Sequence, residues 1–417
     1  MKKILALVIT VFALNVLVAQ QTKVLFIGNS YTYVNDLPQL LKDLALSYGD
    51  TIITDQSTPG GAQLIQHASN TTTLNKINAQ DWDFVVLQEQ SQKPSFSPSQ
   101  VQNDVYPYAK ALNDSIKANY SCTETVFYMT WGRKNGDASN CASYPPICTY
   151  NGMQQRLRES YMEMADSNKA TTAPVGVAWK NVRDSFPTIE LYQPDESHPS
   201  LHGSYLAACV FYCTLFQKSC IGSTFMPVGI GTGDAFTLQT VATNTVLDSL
   251  ALWRINANHP IANFNYSGGG TINFNSTSTN GVYYHWDFDD GNTSTLENPN
   301  HTYAANGNYD IELIVYSQDS CFSDTIIQSI TVNGVGINTI DDDTEVKVYP
   351  NPTNKNLHIQ TKFTYITIII TDIIGNRVKI VSEYTDKIDV SDLSSGTYFI
   401  HFKKEERITK TIKFMKL

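Results

Sequence analysis

The chain has 417 residues, more than one ordinary domain holds, so length alone predicts two or three. It is 42% hydrophobic and 16% charged, a globular composition with few charges for its size. The net charge of −10 argues against nucleic acid as a partner, because phosphate binding needs a basic face.

Lys2 and Lys3 precede an apolar run from Ile4 to Val18, which ends in Ala19-Gln20-Gln21. A basic start, a short apolar run and a small residue at the break predict a secretory signal peptide over residues 1–20. The run falls short of the roughly 18–20 residues of a membrane span, and Asn15 interrupts it. No later stretch is apolar enough to cross a bilayer, so no integral membrane segment is expected after signal removal. The 7 cysteines then meet an oxidising compartment. Cys141 and Cys148 flank Tyr144-Pro145-Pro146 and are the expected disulfide, while Cys209 and Cys213 are expected in the core of an apolar helix. No Cys-x-x-Cys pair argues for zinc, and the odd count leaves at least one thiol unpaired within the chain.

From residue 22 to about 250 strand-like and helix-like segments alternate. Lys23–Ile27, Thr51–Gln56, Asp83–Gln88, Thr125–Trp131 and Val175–Trp179 read as buried parallel strands. Leu37, Leu40, Leu41 and Leu44 form one apolar helical stripe, with Asn35 or Asp36 as its cap and Gly49 at its end. Val105 to Ile116 and Met153 to Met164 mark two more helices, and Tyr205 to Phe216 a buried one. This alternation predicts a parallel sheet covered on both faces, with chemistry at the carboxyl ends of the strands. Past His259-Pro260 the helical period disappears. Residues 261–334 read as a small β-sandwich, with runs at Ile261–Tyr266, Val282–Phe288, Tyr309–Tyr316 and Thr325–Val332. Residues 335–345 read as a linker, and 346–417 as a second β-module with a basic end.

The first strand runs into Gly28-Asn29-Ser30, which places Ser30 on a sharp turn at a helix start. Asp195-Glu196-Ser197-His198 lies just before the buried helix. An acid three residues before a histidine can hold Nδ1 and leave Nε2 to take a serine proton. His67 and His202 read as structural. Pro59-Gly60-Gly61-Ala62 follows the second strand and offers a backbone N–H. Gln88-Glu89-Gln90-Ser91-Gln92 ends the third strand and offers carboxamide donors.

These four stretches, in this order, resemble the SGNH (GDSL-like) hydrolase superfamily over residues 22–258. The resemblance implies a flavodoxin-like three-layer α/β/α domain and ester hydrolysis without cofactor or metal. Ser30 matches the nucleophile, His198 the base and Asp195 its partner. The oxyanion hole would use the N–H groups of Ser30 and Gly61, with Gly60 as alternate, and a side-chain amide. The sequence departs from the family in lacking Gly-x-Asn-Asp. Gapless counting from Asp83 favours Gln92 as the amide and strand length favours Gln88; Gln90 is the third candidate.

Residues 286–303, WDFDDGNTSTLENPNHTY, resemble a PKD domain, an immunoglobulin-like sandwich. Trp286 and Phe288 are expected in its core, and Asp289-Asp290-Gly291 at a turn rather than around calcium. Val348-Tyr349-Pro350-Asn351-Pro352, Asp372-Ile373-Ile374-Gly375-Asn376 and Leu393-Ser394-Ser395-Gly396-Thr397-Tyr398 resemble the C-terminal sorting domain of the type IX (Por) secretion system. That implies a partnership with the type IX machinery, passage across the outer membrane, and a secreted or cell-surface protein. The reading is thus a secreted serine esterase acting on a small ester or acylated carbohydrate. The competing reading is a non-catalytic protein that binds carbohydrate or a surface polymer through a degenerate hydrolase domain.

Overall fold

The computed structural model describes residues 21–334, 346–361, 367–382, 385–404 and 407–417. The expected signal peptide (1–20) and linker (335–345) lie outside the described residues.

The N-terminal part alternates as its periodicities predict. In chain order it comprises β1 (Thr22–Ile27), α1 (Ser30–Tyr33), α2 (Leu37–Leu46), β2 (Ile52–Ser57), α3 (Leu64–His67), α4 (Thr71–Ile77) and β3 (Phe84–Leu87). Then follow α5 (Pro98–Asp104), α6 (Tyr106–Asn119), β4 (Glu124–Tyr128), α7 (Tyr150–Ser167), β5 (Thr171–Ala173), α8 (Val175–Ser185), α9 (Leu201–Phe216) and α10 (Thr232–Leu247). The strands form one five-stranded parallel sheet of order β2-β1-β3-β4-β5. This is the flavodoxin-like order, and its switch point lies between β1 and β3. Val24 to Ile27, Val85 to Leu87 and Val126 to Tyr128 are fully buried, as strands covered on both faces must be. Helices α2, α8, α9 and α10 pack on one another, and α3, α4, α6 and α7 form the other group. Helix α9 is buried almost all round, in keeping with its unbroken apolar sequence.

One strand assignment is corrected. Val175–Trp179 is the first part of α8, and the fifth strand is the preceding Thr171–Ala173. Val175, Ala178, Trp179 and Val182 are all buried, a spacing of three and four that turns one helix face to the core.

The β-region holds β6 (Phe264–Gly268), β7 (Thr271–Ser276), β8 (Tyr283–Asp287), β9 (Thr293–Ser294), β10 (Asn300–Thr302), β11 (Gly307–Tyr316) and β12 (Ser323–Val332). They form sheets of order β10-β7-β6 and β12-β11-β8-β9. Trp286 is fully buried, meets Phe264 edge-on at 5.1 Å, and donates its indole N–H to the Leu296 carbonyl. Asp287 and Asp290 accept the N–H groups of Asp289 and Asn292, so these carboxylates shape the turn.

The last region holds β13 (Val346–Tyr349), β14 (Asn356–Thr361), β15 (Thr367–Thr371), β16 (Arg377–Val381), β17 (Lys387–Asp389), β18 (Gly396–Lys404) and β19 (Arg407–Lys416). Its sheets run β13-β14-β17 and β16-β15-β18-β19, around a core that includes Leu357, Ile368, Ile370, Ile400 and Phe414.

Cys141–Cys148 is a disulfide, as its flanking loop suggests. A second, Cys122–Cys321, joins residues 199 apart and has no sequence signal. Cys209, Cys213 and Cys220 are free and buried. No helix among the described residues is long and apolar enough to cross a membrane.

Candidate active site

Ser30 begins α1 directly beyond the carboxyl end of β1. The turn leading to it is fixed by Asn29. The Asn29 side chain accepts the Tyr31 N–H at 3.1 Å and donates to the Ala62 carbonyl at 2.8 Å. Gln88, directly after β3, completes the brace. Its Oε1 accepts the Asn29 N–H at 2.9 Å, and its Nε2 donates to Asn29 Oδ1 at 3.0 Å. Gly28 leaves the room this needs: a Cβ there would sit 2.5 Å from Gln88 Oε1 and 2.8 Å from Thr32 Oγ1.

The base arrives on the loop between α8 and α9. That loop closes on itself, with Gln193 N–H donating to the His198 carbonyl and Ser200 N–H to the Leu191 carbonyl, both at 2.8 Å. Asp195 organises its interior. Oδ1 accepts the N–H groups of Ser197 and His198, and Oδ2 pairs with His198 Nδ1. Because a carboxylate only accepts, Nδ1 is the donor in that pair and Nε2 is left with its lone pair. Nε2 lies 2.9 Å from Ser30 Oγ. Ser30, His198 and Asp195 therefore stand in one hydrogen-bonded line, although 168 positions separate the first two in sequence. Burial pushes the Asp195 carboxyl up, but the hydrogen bonds from the His198 ring, the His198 N–H and the Ser197 N–H outweigh it. The carboxyl stays below its ordinary range and ionised.

The candidate oxyanion donors divide. Gly61 has φ +70°, in the turn whose Ala62 carbonyl holds Asn29. Neither the Ser30 N–H nor the Gly61 N–H is taken by another group among the described residues. Gln88 is fully buried, and its amide protons go to Asn29 Oδ1 and the Glu89 carbonyl. Gln92 donates at 2.7 Å to Asp137, a buried carboxylate. Gln90 is only partly buried. Its Oε1 is fixed by the N–H groups of Gln92 and Lys93, while its Nε2 makes longer contacts of 3.2 Å to Gln92 and 3.5 Å to Ser91.

His67 is buried, and its ring bonds to the Gly28 carbonyl and to Thr73, both at 2.9 Å; burial lowers its pKa and keeps it neutral. His202 faces Asp234 at 3.2 Å within α9 and α10. The sequence reading missed the roles of Tyr31, Trp131 and Ser197 around the base. Tyr31 stacks on Trp131 with centroids 4.7 Å apart, and the two polar heads both reach Ser197. A cavity of about 780 Å³ lined by Lys117, Glu124, Thr125 and Thr171 lies at the opposite, amino-terminal edge of β4 and β5, away from Ser30.

Residues 259–332 match the PKD domain family, and residues 347–416 the secretion system C-terminal sorting domain family. No curated protein matches the chain. Among solved structures the chain is similar to a DUF4886 family protein from Bacteroides uniformis, at 21% identity over 55% of this chain and 95% of that one, with a TM-score of 0.47. It is also similar to a candidate SGNH hydrolase from Slackia heliotrinireducens, at 28% identity over 46% and 98%, TM-score 0.38. The PKD1 domain of the metalloprotease PrtV from Vibrio cholerae is similar at 34% identity over 18% and 99%, TM-score 0.17. The chain carries a PKD domain and a Por secretion sorting domain behind a five-stranded parallel α/β domain. The sorting domain marks the protein for export across the outer membrane, secreted or surface-attached.

Proposed function

We propose that this exported protein is a serine esterase, with its hydrolase domain spanning residues 22–258, and that it removes acetyl or other short acyl groups. The observation that carries the reading is the line Ser30 Oγ, His198 Nε2, His198 Nδ1, Asp195 Oδ2. In this reading Ser30 Oγ attacks the ester carbonyl as Nε2 takes its proton. The alkoxide leaves with that proton and the acyl group stays on Ser30. Water then repeats the sequence and frees the acid. Asp195 holds the tautomer and stabilises the imidazolium without itself becoming protonated. The N–H groups of Ser30 and Gly61 and the amide of Gln90 receive the oxyanion. Carbohydrate as the acylated alcohol rests only on the family resemblance and the appended PKD domain. The test is hydrolysis of p-nitrophenyl acetate by wild type and Ser30→Ala, with a fluorophosphonate probe mapped by mass spectrometry. Labelling at Ser30 and loss of hydrolysis in the variant support the reading; equal rates refute it.

A further inference from the structure

The loop that carries the base is exposed. The His198 and Asp195 side chains are 33% and 47% accessible, so the 2.9 Å approach of Nε2 to Ser30 depends on what braces that loop. Ser197, directly before His198, is gripped at two points. Its Oγ lies 2.6 Å from Tyr31 Oη, and its carbonyl accepts the Trp131 indole N–H at 3.1 Å. Tyr31 is the residue after the nucleophile. It is 3% exposed and stacks on Trp131, with the two planes 4° apart; Trp131 in turn stacks on Trp179 at 3.8 Å and 5°. The Tyr31 ring also meets the His198 ring edge-on, with centroids 5.6 Å apart. Three buried rings thus form a rigid wall whose two polar ends both point at the loop.

We propose that Tyr31 is a positioning residue that ties the nucleophile to its base: one side chain, attached beside Ser30, holds Ser197 and through it sets His198 at hydrogen-bond distance from Ser30 Oγ. Burial raises the pKa of the Tyr31 phenol, so the hydroxyl stays protonated across the working range. The proposal rests on the esterase reading above.

The test uses the full chain with p-nitrophenyl acetate and four variants: Tyr31→Phe, Ser197→Ala, their combination, and Ser30→Ala. Tyr31→Phe keeps the stacked ring and deletes only the hydroxyl. It is expected to lower kcat about 10- to 100-fold, the cost of an ångström-scale misplacement of a catalytic group. KM should stay within about twofold, as expected where the loss falls on the catalytic step, and the unfolding temperature should fall by no more than the loss of one hydrogen bond allows. Ser197→Ala should give a similar loss. The double variant should be no slower than the slower single, because both changes break one contact. Wild-type kcat in Tyr31→Phe overturns the proposal, as do multiplying losses in the double variant, or a kcat loss that tracks a larger fall in unfolding temperature. If Ser30→Ala is inactive while Tyr31→Phe is normal, only the positioning role falls. If Ser30→Ala is as active as wild type, the esterase reading falls and this role with it.

Discussion

Glu89 makes the stability of the N-terminal α/β domain depend on pH in a direction opposite to that of a salt-bridged acid. The side chain is 1% exposed; it accepts the Leu64 N–H at 3.2 and 3.3 Å and the Gln90 N–H at 2.5 Å. Burial pushes its carboxyl from 4.5 up to about 7, against the smaller opposing pull of those N–H groups and Lys93. Between pH 4.5 and about 7 the folded chain therefore holds a proton that the unfolded chain has released. Stability falls as pH rises through that window and levels off above it. A displacement of about 2.5 pH units at 1.36 kcal/mol each sets the total at about 3 kcal/mol. Glu89→Gln keeps an acceptor for the two N–H groups and removes the titration. Urea unfolding followed by tryptophan fluorescence, run from pH 4 to 8 on wild type and variant, isolates the contribution as a difference. The variant should gain about 3 kcal/mol on wild type between the two ends of the range. A difference that stays flat with pH, or one of opposite slope, refutes the assignment of a buried, protonatable Glu89.

Four further outcomes follow from the site and the fold. Asp195→Asn removes the acceptor that fixes the His198 tautomer and should lower kcat about 10⁴-fold in initial-rate assays at neutral pH; a loss under about tenfold would count against the triad. Gln90→Ala should cost about 2.7–4 kcal/mol of transition-state stabilisation with the fold intact. Gln88→Ala should instead lower stability by about 1–3 kcal/mol in urea unfolding, since it strands the Asn29 N–H; the reverse pattern would make Gln88 the donor. Replacing Cys122 and Cys321 by serine releases a closure across 199 positions, at most about 5 kcal/mol of loop entropy, and should lower the calorimetric unfolding temperature.

The legible parts of the fold were those with a period. Leu37, Leu40, Leu41 and Leu44 announce α2, and all four are buried. Tyr205 to Phe216 announces a buried helix and is one. The error at Val175 has a local cause. A valine-rich run after an alanine-rich stretch looks like a strand, yet Pro174 stands at the N-cap and Trp179 and Val182 continue the apolar face by one turn. The true strand, Thr171–Ala173, is too short to show alternation. Strands β7, β9 and β10 escaped for the same reason or because their sequences are polar; Thr271–Ser276 has only Ile272 and Phe274 turned inward. The Cys122–Cys321 pairing is set by tertiary approach, which spacing along the chain does not encode.

At the site, the three-position spacing of Asp195 and His198 on one tight loop fixes the acid and base relative to each other, and that much is legible in the sequence. Which of three glutamines faces the serine is not, because it depends on what each already holds. Gln88 is the first residue past β3, paired to Ile27 by its own N–H at 2.9 Å, and it abuts Gly28 so closely that no side chain fits between them. From there its longer side chain turns back and exchanges two hydrogen bonds with Asn29. Asn29 and Gln88 are thus one feature: Gln88 accepts the Asn29 backbone N–H and donates to its side-chain oxygen, an uncharged pairing in a buried setting where a carboxylate would carry a desolvation cost. In the proposed mechanism, with that position committed to the turn, the donor comes from farther along the loop: the Gln90 oxygen is anchored, and its nitrogen makes only contacts of 3.2 and 3.5 Å.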